Sequence, residues 1–245
     1  MTHLILIIAA FLTATLSGIF GMAGGLVLMG VLALILPVSA AFVTHGILQL
    51  VANGWRAVLH RDHVKWNIMV WFIAATLMGA TVVSVFQFIP SKPVLFLLLG
   101  LVPMLVWLPK GWLQLDAAKP GHALVFGTVA SIMNLTAGVA GTFLDTLFVR
   151  TELSRHEIVA TKAAIQSLNH LAKISLYGWL LASSETASLP PWWVFALAIP
   201  ASMLGTTAGG WVLDRMSDVN FKRWTARIVT AIGLLYLIKA WEIWA

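Results

Sequence analysis

Residues 3–36 read HLILIIAAFLTATLSGIFGMAGGLVLMGVLALIL, thirty-four residues without an acid, lysine or arginine. Wound as one α-helix they would extend about 51 Å, against a hydrocarbon layer of about 30 Å. The run is too long for one comfortable crossing, and Gly18, Gly21, Gly24 and Gly25 interrupt it. Glycine at this density weakens a helix and admits φ > 0, so the run is expected to break there. Each piece is marginal for a full crossing, and a helical hairpin that enters and leaves on one side fits better. Block 121–149 is built alike, interrupted by Asn134-Leu-Thr-Ala-Gly138-Val-Ala-Gly141-Thr142. Two glycine-broken hairpins are the first expectation about the fold.

The rest of the chain has the same solvent in view. Of 245 residues, 60% are hydrophobic and 10% charged, and the first charged side chain is Arg56. A soluble domain carries about 25% charged residues. The composition excludes an ordinary soluble enzyme, a disordered segment and a collagen-like repeat, and it suits one compact membrane domain over 1–245. A net charge of +6 does not imply nucleic acid, because the bases sit singly in gaps between apolar blocks. There are no cysteines, which excludes disulfides, thiolate metal sites and thiol catalysis. The N-terminal run lacks a positive leader and is followed by more apolar chain, so it is expected to stay as a membrane segment.

Further charge-poor blocks at 41–60, 66–89, 93–109, 158–182, 191–213 and 224–244 are candidate spans. Trp66, Trp107, Trp112, Trp179, Trp192, Trp193, Trp241 and Trp244 lie at or near block ends, where amphipathic rings favour the headgroup layer. If both broken blocks are hairpins, twelve bases fall at one face: Arg56, Arg61, Lys65, Lys110, Lys119, Arg150, Arg155, Lys162, Arg215, Lys222, Arg223 and Arg227. Only Lys92 and Lys239 fall at the other, with Lys173 inside the membrane. Single crossings would instead set the clusters at 150–162 and 215–227 opposite the one at 56–65. The positive-inside rule therefore favours the hairpins and places both termini outside the cytoplasm. A cell membrane, and a bacterial inner membrane in particular, is the expected location.

Sliding the chain on itself by 117 positions reveals a repeat. Gly21-Met-Ala-Gly24 falls on Gly138-Val-Ala-Gly141, Thr44 on Thr161, Gln49 on Gln166 and Arg56 on Lys173. With a longer loop near 183–191, Gly79 then falls on Gly205. Each half, 1–115 and 116–245, would be a hairpin plus three crossings. Three is odd, so the halves have opposite orientation. The expected fold is an all-α membrane protein of two inverted repeats, which is a transporter architecture.

Polar residues within spans are expensive and mark functional sites by default. Lys162, Gln166, Asn169, His170 and Lys173 share one face of a helix, and His45, Gln49, Asn53 and Arg56 form a second stripe at the same period. Asn and Gln also serve as interhelical glue, yet two related stripes point to a lined cavity. Arg56 and Lys162, near helix ends, read as snorkelling side chains. Asp145, the one acid in 121–149, reads either as a proton or cation site or as half of a salt bridge with Arg150 or Lys173. His170, mid-helix beside Gln166 and Asn169, is a candidate ligand or proton carrier.

Unwinding at Gly21, Gly24, Gly25, Gly138, Gly141 and Thr142 would expose backbone N–H groups and positive half-helix ends at membrane depth. Together with His45, Lys173 and the amides of Gln49, Asn53, Gln166 and Asn169 this makes an anion-friendly centre. It offers too few acids for a metal, and no soluble strand precedes the glycines as a nucleotide motif requires. Ser167 beside His170 lacks an acid partner, so an intramembrane enzyme is not expected. No cofactor is expected. A secondary transporter of small anions is the reading; a channel, or a carrier of cations or carboxylates, are the alternatives.

Gly18, Gly21, Gly24 and Gly25, the block-ending Pro37, Thr44-His45-Gly46, Gly54-Trp55-Arg56, Val64-Lys65-Trp66 and the second-half Gly138-x-x-Gly141 with Thr161-Lys162 resemble the sulfite exporter TauE/SafE family. The resemblance runs over nearly the whole chain. It implies export or uptake of sulfite, organosulfonates or related small sulfur anions across a lipid bilayer. Thr142 stands where the first half has Gly25, a departure from strict symmetry of the hairpins.

Overall fold

The structure, a computed structural model, describes residues 2–20, 23–107, 115–148, 151–183, 189–215 and 218–245. Among them every regular element is helical. The first broken block forms α1 (Thr2–Phe20) and α2 (Ala23–Ile35). They pack on each other, with Gly24 of α2 so close to Thr13 and Ser17 of α1 that a Cβ would overlap their backbone. The second forms α6 (Pro120–Thr136) and α7 (Gly141–Phe148), and the Phe126 and Phe143 rings meet across this antiparallel pair, 6.5 Å apart. Both blocks are thus hairpins. The break in the second is shorter than the sequence suggests, because the helix continues through Asn134 and stops only at Thr136. Gly138 turns the chain with φ +78°, a conformation that L side chains rarely adopt.

Between the hairpins lie α3 (Val38–Leu59), α4 (Trp66–Phe86) and α5 (Lys92–Leu101); after them come α8 (Arg155–Ala182), α9 (Trp192–Leu213) and α10 (Asp218–Trp244). Three helices, α1, α4 and α9, are long and apolar enough to cross a membrane. α3 and α8 have the length, at 22 and 28 residues, but their polar stripes dilute the apolar signal. The expected span at 93–109 is corrected: α5 ends at Leu101 and gives way to a 3-10 segment, Val102–Trp107. Pro103 within it has no N–H to donate and its ring crowds the carbonyl four residues back. α8 starts three residues before its expected block, because Ser154 and Glu157 form a capping box at its N-terminus.

The packing has a simple order. α3 lies along α8, α5 along α10, α1 along α9 and α4 along α6. The last two pairs are close because Gly205 of α9 meets the Phe11 carbonyl of α1, and Gly79 of α4 meets Thr128 and Ser131 of α6. Small residues let helices approach in this way where water supplies no drive for association. Outward, Trp66, Trp107, Trp179, Trp192, Trp241 and Trp244 are exposed, as expected of rings at the headgroup level; Trp112 lies outside the described residues. The α3–α8 pair is buried in the centre and carries both polar stripes.

Candidate functional site

The two stripes face each other. On α3, His45, Gln49, Asn53 and Arg56 are all buried, and on α8 Asn169, His170 and Lys173 are buried as well. α3 and α8 run antiparallel, since Gly46 meets Ile174 while Gly54 lies by Ser167. A cavity of about 30 Å³ opens between them, enough for one or two waters. Gly25, His45, Gln49, Gly138, Gly141, Gln166, Asn169 and His170 line it, all of them expected from the sequence. Ala130, Asn134, Val139, Ala140 and Leu144 complete the wall.

At one end of the cavity Lys173 is completely enclosed. Its Nζ donates to the Gly138 carbonyl at 2.6 Å and lies 3.2 Å from His45 Nδ1. On its far side His45 Nε2 lies 2.9 Å from the Gly25 carbonyl. A carbonyl only accepts, so Nε2 carries the imidazole proton and Nδ1 presents its lone pair to the lysine. The lysine and histidine together thus tie the turn of the second hairpin to the start of α2 in the first. An ammonium has three N–H donors, and two are used. Nζ also sits 5.6 Å above the Phe42 ring, which stacks on Tyr177 at 4.2 Å; the Tyr177 hydroxyl donates to the Leu135 carbonyl at 2.7 Å. No carboxylate bonds this lysine among the described residues.

The remaining polar groups hold the walls. Asn53 Nδ2 donates to the Gln49 carbonyl at 3.0 Å and to its Oε1 at 3.3 Å, so Asn53 supports Gln49 from behind. Asn134 Nδ2 donates to the Asn169 carbonyl at 3.1 Å, and the Thr76 hydroxyl reaches Asn169 Oδ1 at 3.4 Å. His170 lies edge-on to His45 with ring centres 5.5 Å apart, and its Nδ1 is buried without a partner among the described residues. Asn134 heads the interruption of the second block, and its role emerges because α6 continues through it and turns its amide to the Asn169 carbonyl. Thr76 gave no signal, being one hydroxyl in an apolar span.

Other expected residues lie elsewhere. Gly24 is spent on packing α2 against α1, Thr142 is buried beside the lining, and Gly21 lies outside the described residues. Asp145 is not on the cavity wall; it forms an ion pair with Lys162, and the expected partner Arg150 lies outside the described residues. Arg56 does not snorkel. It is only 9% exposed, because α3 is enclosed along its polar face over its whole length.

What this geometry can do is hold a small anion: buried donors, a buried lysine, and helix starts at Ala23 and Gly141 beside it. No match to the chain was found among the curated proteins or the solved structures. A family model does match, and it spans residues 6–236. The match takes in every residue that lines the cavity and nearly the whole chain, and the chain belongs to the sulfite exporter TauE/SafE family.

Proposed function

We propose that the chain is a secondary transporter of small anions, with sulfite or an organosulfonate as cargo, working by alternating access around the α3–α8 cavity. The observation that carries the reading is Lys173, enclosed at 0% exposure beside a donor-rich cavity. A lone buried cation is costly unless something of opposite charge meets it. Its third N–H, the amides of Gln49, Gln166 and Asn169, and the hairpin breaks are donors that a tetrahedral or pyramidal oxyanion can share. Family membership supports a sulfur oxyanion over a carboxylate.

The halves 1–115 and 116–245 are two inverted repeats in this reading. The pairings support it: exchanging the halves turns α1 on α9 into α6 on α4, and leaves α3 on α8 and α5 on α10 unchanged. The register supports it too. Gly205 meets the carbonyl of Phe11 and Gly79 that of Thr128, and Phe11 and Thr128 stand 117 positions apart, the shift that aligns the halves. Rocking of one repeat against the other would break the Gly138–Lys173–His45–Gly25 clasp and open the cavity alternately to each side. His170, with a free ring nitrogen, is the foremost candidate to carry a coupled proton, with His45 and Asp145 behind it.

Flux into proteoliposomes of sulfite, sulfate, thiosulfate, a taurine-like sulfonate and acetate tests the cargo. Sulfite or sulfonate is expected to dominate; acetate flux alone would overturn the assignment. Replacing both Gln49 and Gln166 by Leu should abolish flux in a protein that still folds, and undiminished flux would remove them from the path. The basic face is read as cytoplasmic. The chain has no cysteine, so single cysteines at Thr2 and His63 report topology directly: an impermeant maleimide added outside cells should label the first and not the second.

A further inference from the structure

The clasp at Lys173 has a counterpart at the other end of the α3–α8 seam. The 117-residue shift carries Arg56 onto Lys173 and His45 onto Lys162. Lys173 pairs with His45, and Lys162 lies within electrostatic reach of Arg56. Along α3 the two ends are eleven residues, about 16 Å, apart. Arg56 is as much a part of the buried seam as Gln49, yet its Nη2 is enclosed with no hydrogen-bond partner among the described residues. Guanidinium stays charged in proteins, and its planar fork fits two oxygens of one oxyanion.

The charges around Arg56 leave room for such a ligand. Lys162 is committed to Asp145, so that pair is neutral and the guanidinium remains uncompensated. His60, one turn further on α3, lies within electrostatic reach of Arg56, His63, His156 and Asp214. Among these, Asp214 is the acid, and it is exposed at the end of α9. Among the described residues, then, one end of the seam holds Arg56 with its Nη2 unpaired, and the other holds Lys173 with no carboxylate bonded to it.

We infer that Arg56, with Lys162 beside it, is a second oxyanion-binding station, related to the Lys173–His45 station by the exchange of halves, and that an anion occupies it before or after the central cavity. This rests on the reading of that cavity as an anion path. Asp145 is then a charge regulator: it neutralises Lys162 and keeps the station from holding its anion too tightly.

Binding of labelled sulfite to the full-length purified chain tests this. The wild type should hold two anions per chain, Arg56→Gln one, and Arg56→Lys two with weaker affinity at one of them. Lys162→Gln should also lose one anion, because Asp145 is released to neutralise Arg56. Asp145→Asn should bind the second anion about tenfold more tightly, a gain that misfolding cannot imitate. One anion per chain in the wild type and in Arg56→Gln alike, lost in Lys173→Gln, overturns the station and leaves the transport reading standing. No retained sulfite in the wild type overturns the transport reading itself, and the station with it.

Discussion

At one end of the α3–α8 seam a lysine is fully enclosed and shares its N–H donors between an imidazole and a hairpin carbonyl. At the other end an arginine is nearly as buried but has an enclosed nitrogen with no partner among the described residues, and Lys162 is held by an acid. The two ends occupy equivalent register positions and use different chemistry. Lys173 is anchored on the Gly138 carbonyl in the turn of the second hairpin and, through His45, on the Gly25 carbonyl of α2. Arg56 Nη2 has no such anchor among the described residues, and Lys162 is paired with Asp145, a position where Leu28 stands 117 residues earlier. The lesson is that two positions matched by one 117-residue shift both hold a buried base, while the groups that meet each base differ.

The strongest way to break this contrast is to remove each lysine in turn. Lys173→Met keeps the volume and deletes the charge, and anion flux should fall about 100-fold or more, since truncating a buried charge-assisted pair costs about 2–5 kcal/mol. Thermal stability should change little, because relief from burying a lone base offsets the loss of its bonds to Gly138 and His45. Lys162→Met should differ in stability: it strands Asp145 in a partly buried site and lowers the melting temperature. If Lys173→Met melts earlier than Lys162→Met, the lysine is structural and not a poised cation.

A second test compares the scaffolds that carry the two hairpins. A Cβ on Gly205 would stand 2.4 Å from a backbone carbonyl, which cannot move aside, whereas one on Gly79 meets Ser131 Cβ at 2.7 Å and the Thr128 carbonyl at 3.1 Å. Gly205→Ala should therefore cost about 2–3 kcal/mol and Gly79→Ala about 1–2 kcal/mol, within the usual range for overpacked sites. Equal losses, read by thermal melting in detergent, would show that the two contacts are closer to identical than the distances say.

Much of this was legible in the sequence because lipid imposes few choices. Two glycine clusters inside apolar runs can only be breaks, and period 3.6 in His45, Gln49, Asn53 and Arg56 can only be a face. Eight expected residues line the cavity for that reason. What could not be read is which partner each polar group finds. Asp145 finds Lys162, a base not proposed from the sequence, because α7 packs beside α8. Arg56 looked like a helix-end residue, and only the packing of α3 against α8 and α9 reveals that the end is interior. The split of block 93–109 hinged on Pro103, whose effect competes with an otherwise continuous apolar run.

A smaller effect separates the hairpin ends. Tyr177 donates to the Leu135 carbonyl at the end of α6, and its register counterpart in the first half is His60, the C-cap of α3. Tyr177→Phe should cost about 1 kcal/mol, the usual worth of one hydrogen bond, and should leave sulfite affinity within twofold. A large loss of affinity would mean that the hydroxyl positions the second hairpin for binding and does more than brace it.

The smallest expected effect concerns how the two halves enter their central helices. α3 begins after Pro37 with no side-chain cap, whereas α8 begins with the Ser154–Glu157 box, and Glu157 also pairs with Lys65 from the loop before α4. The hydrogen bond from Lys65, helped by the Ser154 backbone N–H, holds the Glu157 carboxyl down at about 2, from an ordinary 4.5. A depressed carboxyl stabilises the fold above its ordinary pKa, and that contribution is lost as pH falls from about 4.5 towards 2. The pair is solvent-accessible, so screening keeps it small: Glu157→Gln should lower the melting temperature at pH 7 by about 1 °C. At pH 3 the gap between variant and wild type should narrow, and at high salt it should narrow at every pH. A gap that persists under both conditions would assign the stability to the neutral capping geometry, which glutamine retains in part, and not to the charge on Glu157.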